Sequence, residues 1–309
     1  MRKRKALLFI VFFFGSLGIL AYARFVAVQH FPSVEDNRLR VVTSFYPLYF
    51  FAREIGGEAV AVTNLTPAGA EPHDFEPTAH DVARLSGSRL VIALGDFEPW
   101  LPRMKDDLEA RGVTVVVVGD RPLAAKDPHV WLSPRLARGI AERVAAAMAA
   151  ADPVRADRYR ERAIDLQARL RNLDQDFRFG LNNCATRDIV TAHAAFGYLA
   201  AEYGLTQIPI AGLSPEAEPS PGRLSEIVAL SQKKLVTTVF FEDLVSPRLA
   251  ETIAREVGAK TDTLNPLEGL TDTALAAGED YFTVMKKNLL HLQNALQCPP
   301  STMPTRFSK

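Results

Sequence analysis

Cysteine is scarce in this chain: Cys184 and Cys298 are the only two among 309 residues. Neither has ligand-type spacing to the other or to a histidine, which argues against a thiolate metal site. Surplus charge is missing as well. Thirty-six Lys and Arg balance 36 Asp and Glu, and no run of five like charges occurs. That excludes a nucleic-acid-binding field and a charged interaction tail. His-Glu-x-x-His, Gly-x-Ser-x-Gly and P-loop motifs are all lacking. There is no repeat with a period of 20–50 residues, so a solenoid is excluded. What remains is ordinary globular composition, 48% hydrophobic and 23% charged, with length for about two domains at roughly 150 residues each.

The N-terminus reads as an export signal. Arg2-Lys3-Arg4-Lys5 precedes an uncharged, mostly apolar stretch from Ala6 to Ala23 that ends in Ala21-Tyr22-Ala23. A basic start, an apolar core and a small-x-small end predict a signal peptide over 1–23, cleaved after Ala23. An uncleaved anchor is the competing reading, since eighteen uncharged residues just suffice to span a bilayer. No cysteine near the cleavage point allows a lipid anchor. In either case the folded part is expected outside the cytoplasm, in the periplasm or its equivalent, after a linker over 24–38. An exported cysteine pair is expected to bridge. The loop closed by Cys184 and Cys298 would contain about 113 residues, worth ~4.7 kcal/mol in the chain-entropy description.

Short apolar runs alternate with helical stretches, the mark of βα units and parallel sheets. Over 39–152 the predicted strands are Leu39–Ser44, Ala59–Leu65, Leu90–Leu94 and Val113–Val118, the last with four valines at 115–118 read as buried. Helices are expected at Leu48–Ile55, Thr78–Leu85, Trp100–Glu109 and Arg135–Ala150. Asp152-Pro153 then predicts an N-cap and first position for a long helix over 153–182. Tyr159, Ala163, Leu166, Leu170, Leu173 and Phe177 fall on one face of it. At 1.5 Å per residue it would span roughly 40 Å and act as a rigid strut. The βα rhythm restarts over 183–309, with strands at Asp188–Ala192, Thr206–Ile210, Thr237–Phe241 and Lys260–Leu264. Its helices are expected at Ala195–Tyr203, Gly222–Lys233, Pro247–Val257 and, unbroken, Thr273–Gln297. Two α/β lobes joined by one stiff helix would leave a ligand cleft at the C-terminal strand edges.

Three of the six histidines have an unusual setting. His73 in Glu71-Pro-His-Asp-Phe-Glu-Pro77, His129 in Asp127-Pro-His-Val-Trp-Leu132 and His193 in Ile189-Val-Thr-Ala-His193 each follow a predicted strand. Neutral imidazole is the commonest metal ligand, and three converging histidines suit zinc. Pro72 and Pro128 would fix the backbone beside two of them.

These segments, with Ala192-His193-Ala-Ala-Phe196 and Asn265-Pro-Leu-Glu-Gly-Leu270, resemble in order the four ligand-bearing segments of the metal-receptor family of ABC importers. The resemblance runs from about Arg40 to Gln297. It implies an extracytoplasmic, non-enzymatic, monomeric receptor that captures Zn2+ and delivers it to a membrane permease, with manganese as the alternative cargo. His73, His129 and His193 would be ligands. Many members carry Asp where Asn265 stands, but the Asn-Pro-Leu-Glu form of a zinc-associated branch points to Glu268, with Asp262 as the fallback. Manganese-type relatives place an acidic residue at the His193 position, and imidazole donors favour zinc over manganese. The His-rich loop of many zinc members is absent, since Gly119 to Lys126 contains no histidine.

Other candidates have plainer readings. Asp74 and Glu76 could support the ligand imidazoles but are expected to cap the following helix. Glu242 and Asp243 could face the cleft but are expected to cap the Pro247 helix. His30, His80 and His291 are expected at the surface, and Trp131 is expected to pack the lobe and keep the site dry. A three-histidine zinc with an open fourth position would instead make a hydrolase or hydratase. Closure of the shell by Glu268 would remove that option.

Overall fold

The computed structural model describes residues 37–119 and 127–299. The leader, most of the linker and most of the Gly119–Lys126 span lie outside the described residues.

The first sheet is built from β1 (Leu39–Thr43), β2 (Val60–Asn64), β3 (Leu90–Ala93) and β4 (Thr114–Val117), all parallel, in the order β2-β1-β3-β4. Its helices are α1 (Tyr46–Gly56), α2 (Ala79–Ser86), α3 (Leu101–Ala110) and α4 (Pro134–Ala151). The second sheet repeats the plan with β5 (Asp188–Thr191), β6 (Thr206–Pro209), β7 (Thr238–Phe241) and β8 (Lys260–Thr263), in the order β6-β5-β7-β8. In both sheets the chain steps outward from the first strand and then crosses to its other side. The crevice therefore opens beyond the ends of β1 and β3 in one sheet, and of β5 and β7 in the other.

The long helix, α5 (Ala156–Gly180), has 25 residues, or about 37 Å at 1.5 Å each. Tyr159, Ala163, Leu166, Leu170, Leu173 and Phe177 are all buried. That face packs on α1 and α4 from the first half of the chain and on α10 (Tyr281–Ala295) from the second. One continuous apolar core contains Leu48, Phe51 and Trp131 together with Phe196, Tyr281 and Leu292. Each half thus shares its core with the helix that joins them. Gly180 permits the close approach at the far end, since a Cβ there would lie 2.7 Å from Gln293 Nε2. Just beyond, Cys184 and Cys298 form a disulfide.

Three local expectations are corrected. The last helix is not continuous: a short helix, α9 (Asp272–Ala276), is followed by Gly278 at φ 76°. Asp280 then caps α10 in a reciprocal capping box with Thr283, two stop-and-start signals that apolar periodicity overlooks. Asp152 does not cap amides with its side chain. It precedes a 3-10 turn, Pro153–Arg155, and its carboxylate accepts from Arg155 and from the Tyr159 hydroxyl, both at 2.8 Å. The four valines are not uniformly buried, because β4 is an edge strand and leaves Val116 and Val117 half-buried.

Among the described residues, no helix is long and apolar enough to cross a membrane. The remaining helices, α6 (Gly197–Tyr203), α7 (Pro221–Lys233) and α8 (Arg248–Val257), flank the second sheet.

Candidate metal centre

Each predicted metal-binding side chain sits past the C-terminal end of a strand: His73 after β2, His129 after β4, His193 after β5 and Glu268 after β8. One ligand atom from each falls within 4.8 Å of every other. Glu268 Oε1 lies 3.1 Å from His73 Nε2, 3.0 Å from His129 Nε2 and 3.2 Å from His193 Nε2. The Nε2 atoms of His129 and His193 are 3.3 Å apart. In a tetrahedron the ligand–ligand edge is about 1.6 times the metal–ligand bond, so zinc bonds of about 2.0 Å require edges near 3.3 Å. These four spacings fit. The second oxygen of Glu268 is buried and accepts no hydrogen bond.

The imidazoles are oriented from behind. Asp127 Oδ1 accepts from His129 Nδ1 at 2.7 Å, and Glu242 Oε1 accepts from His193 Nδ1 at 2.7 Å. A proton held on each Nδ1–oxygen line leaves Nε2 facing the centre. The backbone of His193 is fixed in turn, its carbonyl accepting from Thr191 Oγ1 at 2.8 Å and Gln207 Nε2 at 2.9 Å. Gly197 gives Asp127 its room: a Cβ there would fall 2.8 Å from Asp127 Oδ2.

Glu268 is presented by a tightly held loop. Asn265 Oδ1 accepts from the Leu267 amide at 2.7 Å, and Asn288 holds both the N–H and the carbonyl of Asn265. Leu267 adopts φ 58°, left-handed backbone that a non-glycine residue enters only under constraint. Trp131 Nε1 donates to the Pro266 carbonyl at 2.8 Å, while the Tyr281 hydroxyl donates to the Trp131 carbonyl at 2.6 Å. Trp131 therefore ties the His129 loop to the Glu268 loop, beyond its expected packing role. It also walls the site with Phe97, whose ring centroid is 4.7 Å from that of His73.

Charge in the metal-free pocket follows from this geometry. Burial pulls the His193 imidazolium down, but its bonds to Glu242 and Glu268 outweigh that and raise it to about 10. His129 is raised in the same way, against burial, by Asp127 and Glu268. Burial disfavours the Glu268 anion, yet three imidazole bonds hold its carboxyl well below the usual range. Burial pushes Glu242 up.

Several secondary expectations are revised. Glu242 does not cap the following helix but holds His193, and Asp243 accepts from Asn265 Nδ2 at 2.6 Å. The helix after residue 77 is capped by Thr78 in a capping box with Asp81. Glu76 pairs with Arg103, and Asp74 is exposed. Asp262 lies away from the cluster, its Oδ1 3.2 Å from Nδ1 of His291, whose Nδ1 is bonded to the Thr263 carbonyl at 2.7 Å; His291 is half-buried rather than fully at the surface. His80 is exposed as expected; His30 lies outside the described residues. Sequence reasoning did not single out Asp127, although Asp-Pro-His repeats the Glu-Pro-His of the first segment. Nor did it find Glu98, a buried carboxyl beyond β3 that accepts from Ser44 and from the Leu94 and Gly95 amides. Glu98 bridges the β1/β3 crevice as Glu242 bridges β5/β7, and it anchors the loop bearing Phe97.

Known proteins of the same build bear on this site. The chain is 38% identical over 279 residues to the zinc-binding lipoprotein AdcA of Streptococcus pneumoniae R6, covering 84% of this chain and 56% of that protein. It thus spans little more than half the length of that relative. It is 35% identical over 284 residues to the high-affinity zinc uptake system protein ZnuA of Bacillus subtilis, covering 85% of this chain and 89% of that protein. The solved Zn(II)-bound ZnuA-like domain of S. pneumoniae AdcA superposes with a TM-score of 0.75 at 39% identity, over 84% of this chain and 99% of that domain. The family model for ZnuA, zinc-uptake complex component A, periplasmic, matches residues 41–295, and the chain belongs to that family.

Proposed function

We propose that this chain is the extracytoplasmic receptor of an ABC importer. It captures one Zn2+ on His73, His129, His193 and Glu268 and passes it to a membrane permease. The observation that carries the reading is the single carboxylate oxygen 3.0–3.2 Å from three imidazole nitrogens. Three nitrogen donors and one anionic oxygen match zinc, whereas manganese favours oxygen-rich shells. Four protein donors around a tetrahedral ion leave no position for a reactive water, so the site binds and does not catalyse. The zinc-binding and zinc-uptake relatives support the same cargo.

The test is metal analysis of protein purified without added ions, followed by titration and zinc–manganese competition. One zinc per chain, not displaced by excess manganese and without esterase or hydratase turnover, is expected. Preferential manganese retention, or turnover by the zinc form, would overturn the reading.

A further inference from the structure

Each of the three histidines donates its backbone N–H to a carboxylate outside the four-residue cluster. Asp127 Oδ1 accepts from His129 at 3.0 Å, Glu242 Oε1 from His193 at 3.2 Å, and Glu71 Oε1 from His73 at 3.1 Å. In the first two cases the same oxygen also takes the imidazole Nδ1, at 2.7 Å. Glu71 stands to His73 as Asp127 stands to His129, two residues earlier with a proline between. Proline fixes φ, so the two turns aim their histidines from the same kind of backbone. One feature separates them: Glu71 Oε2 is buried and accepts no hydrogen bond. A buried carboxylate oxygen without a donor is costly. Once His73 Nε2 engages a cation, the proton of its ring must reside on Nδ1.

We infer that Glu71 is the positioning residue of His73, accepting its Nδ1–H in the zinc-loaded site as Asp127 and Glu242 do for the other two imidazoles. This rests on His73 being a metal ligand. The need is greatest there, because the His73 side chain is 10% exposed while those of His129 and His193 are fully buried. Asp127 and Glu242 hold two of the rings through Nδ1, and Glu71 is the carboxylate placed to hold the third. Such partners set ring orientation and tautomer and raise ligand basicity.

The experiment uses the full chain loaded with zinc chloride, 15N-labelled at histidine, and compares wild type with Glu71→Ala, Glu71→Asp and His73→Ala. Wild type is expected to show three zinc-dependent, slowly exchanging imidazole N–H signals, and Glu71→Ala, which offers no acceptor, two. Glu71→Asp, which reproduces the Asp-Pro-His arrangement, restores the third. Zinc affinity by chelator competition falls about tenfold in Glu71→Ala and recovers in Glu71→Asp. Three protected N–H signals with unchanged affinity in Glu71→Ala would overturn the inference. His73→Ala separates the two readings: if it binds zinc as tightly as wild type, the ligand assignment itself fails. If it is weak while Glu71→Ala is normal, only the positioning role fails.

Discussion

Replacing Glu242 with glutamine probes the pocket's chemistry without emptying it. The side chain is 3% exposed, and its Oε1 accepts both the amide and the Nδ1 of His193. A glutamine carbonyl can still accept those hydrogens, so the tautomer survives and only the negative charge is lost. Two opposite consequences follow. A less basic imidazole binds zinc more weakly, by about 10–100-fold for a lost supporting carboxylate, or about 1.4–2.7 kcal/mol. At the same time the His193 imidazolium, raised to about 10 in the wild type chiefly through this partner, loses much of its hold on its proton. In the wild type that proton must be displaced by the metal at every pH below about 10, so affinity rises with pH and falls on acidification. Each displaced proton contributes about one decade per pH unit. Glu268, held far below the usual carboxylate range, stays ionised throughout and adds nothing to the slope near neutrality. Zinc affinity measured by chelator competition from pH 6 to 9 is therefore expected to rise less steeply in Glu242→Gln. The variant should lag most at pH 9 and approach wild type at pH 6. Two parallel lines, or no separation at either end, would refute the reasoning.

Further outcomes follow from the same contacts. His193→Ala is expected to weaken zinc binding by several orders of magnitude while leaving the circular dichroism of the metal-free protein unchanged, because its ring nitrogens meet Glu242, His129 and Glu268 within the pocket. Gly197→Ala puts a methyl 2.8 Å from Asp127 Oδ2; pushing that carboxylate off His129 should cost roughly tenfold in zinc affinity by calorimetry. Reducing the Cys184–Cys298 bridge should lower the denaturation midpoint, by no more than ~4.7 kcal/mol in stability, with zinc affinity unaltered because the bridge lies outside the centre. The buried face of α5 ties both halves into one core, so scattering from the metal-free and zinc-loaded forms should differ only slightly.

Much of this molecule can be read from its residues. The βα alternation, the buried face of α5 and the three strand-end histidines all follow from periodicity and from short local motifs. Partners across the sheet are another matter. Glu242 meets His193 because β5 and β7 are neighbours, and Glu98 meets Ser44 because β1 and β3 are. Strand order is a property of the assembled sheet and leaves no local signature, so a carboxyl one residue past a strand reads as a helix cap. Leu267 illustrates the same limit: its left-handed backbone is imposed by Asn265 and Asn288, an arrangement that depends on α10 packing against the loop. The break before α10 is different in kind. Gly278 and Asp280 signal it openly, and an unbroken apolar rhythm only disguises it.

The central claim is a closed tetrahedral shell. X-ray absorption at the zinc edge of the loaded protein tests it most directly. The expected result is four light scatterers at about 2.0–2.1 Å, three with the multiple-scattering signature of imidazole; in Glu268→Ala water takes the fourth position and zinc is held far more weakly. A shell with two imidazoles, or undiminished affinity when Glu268 is removed, would contradict it.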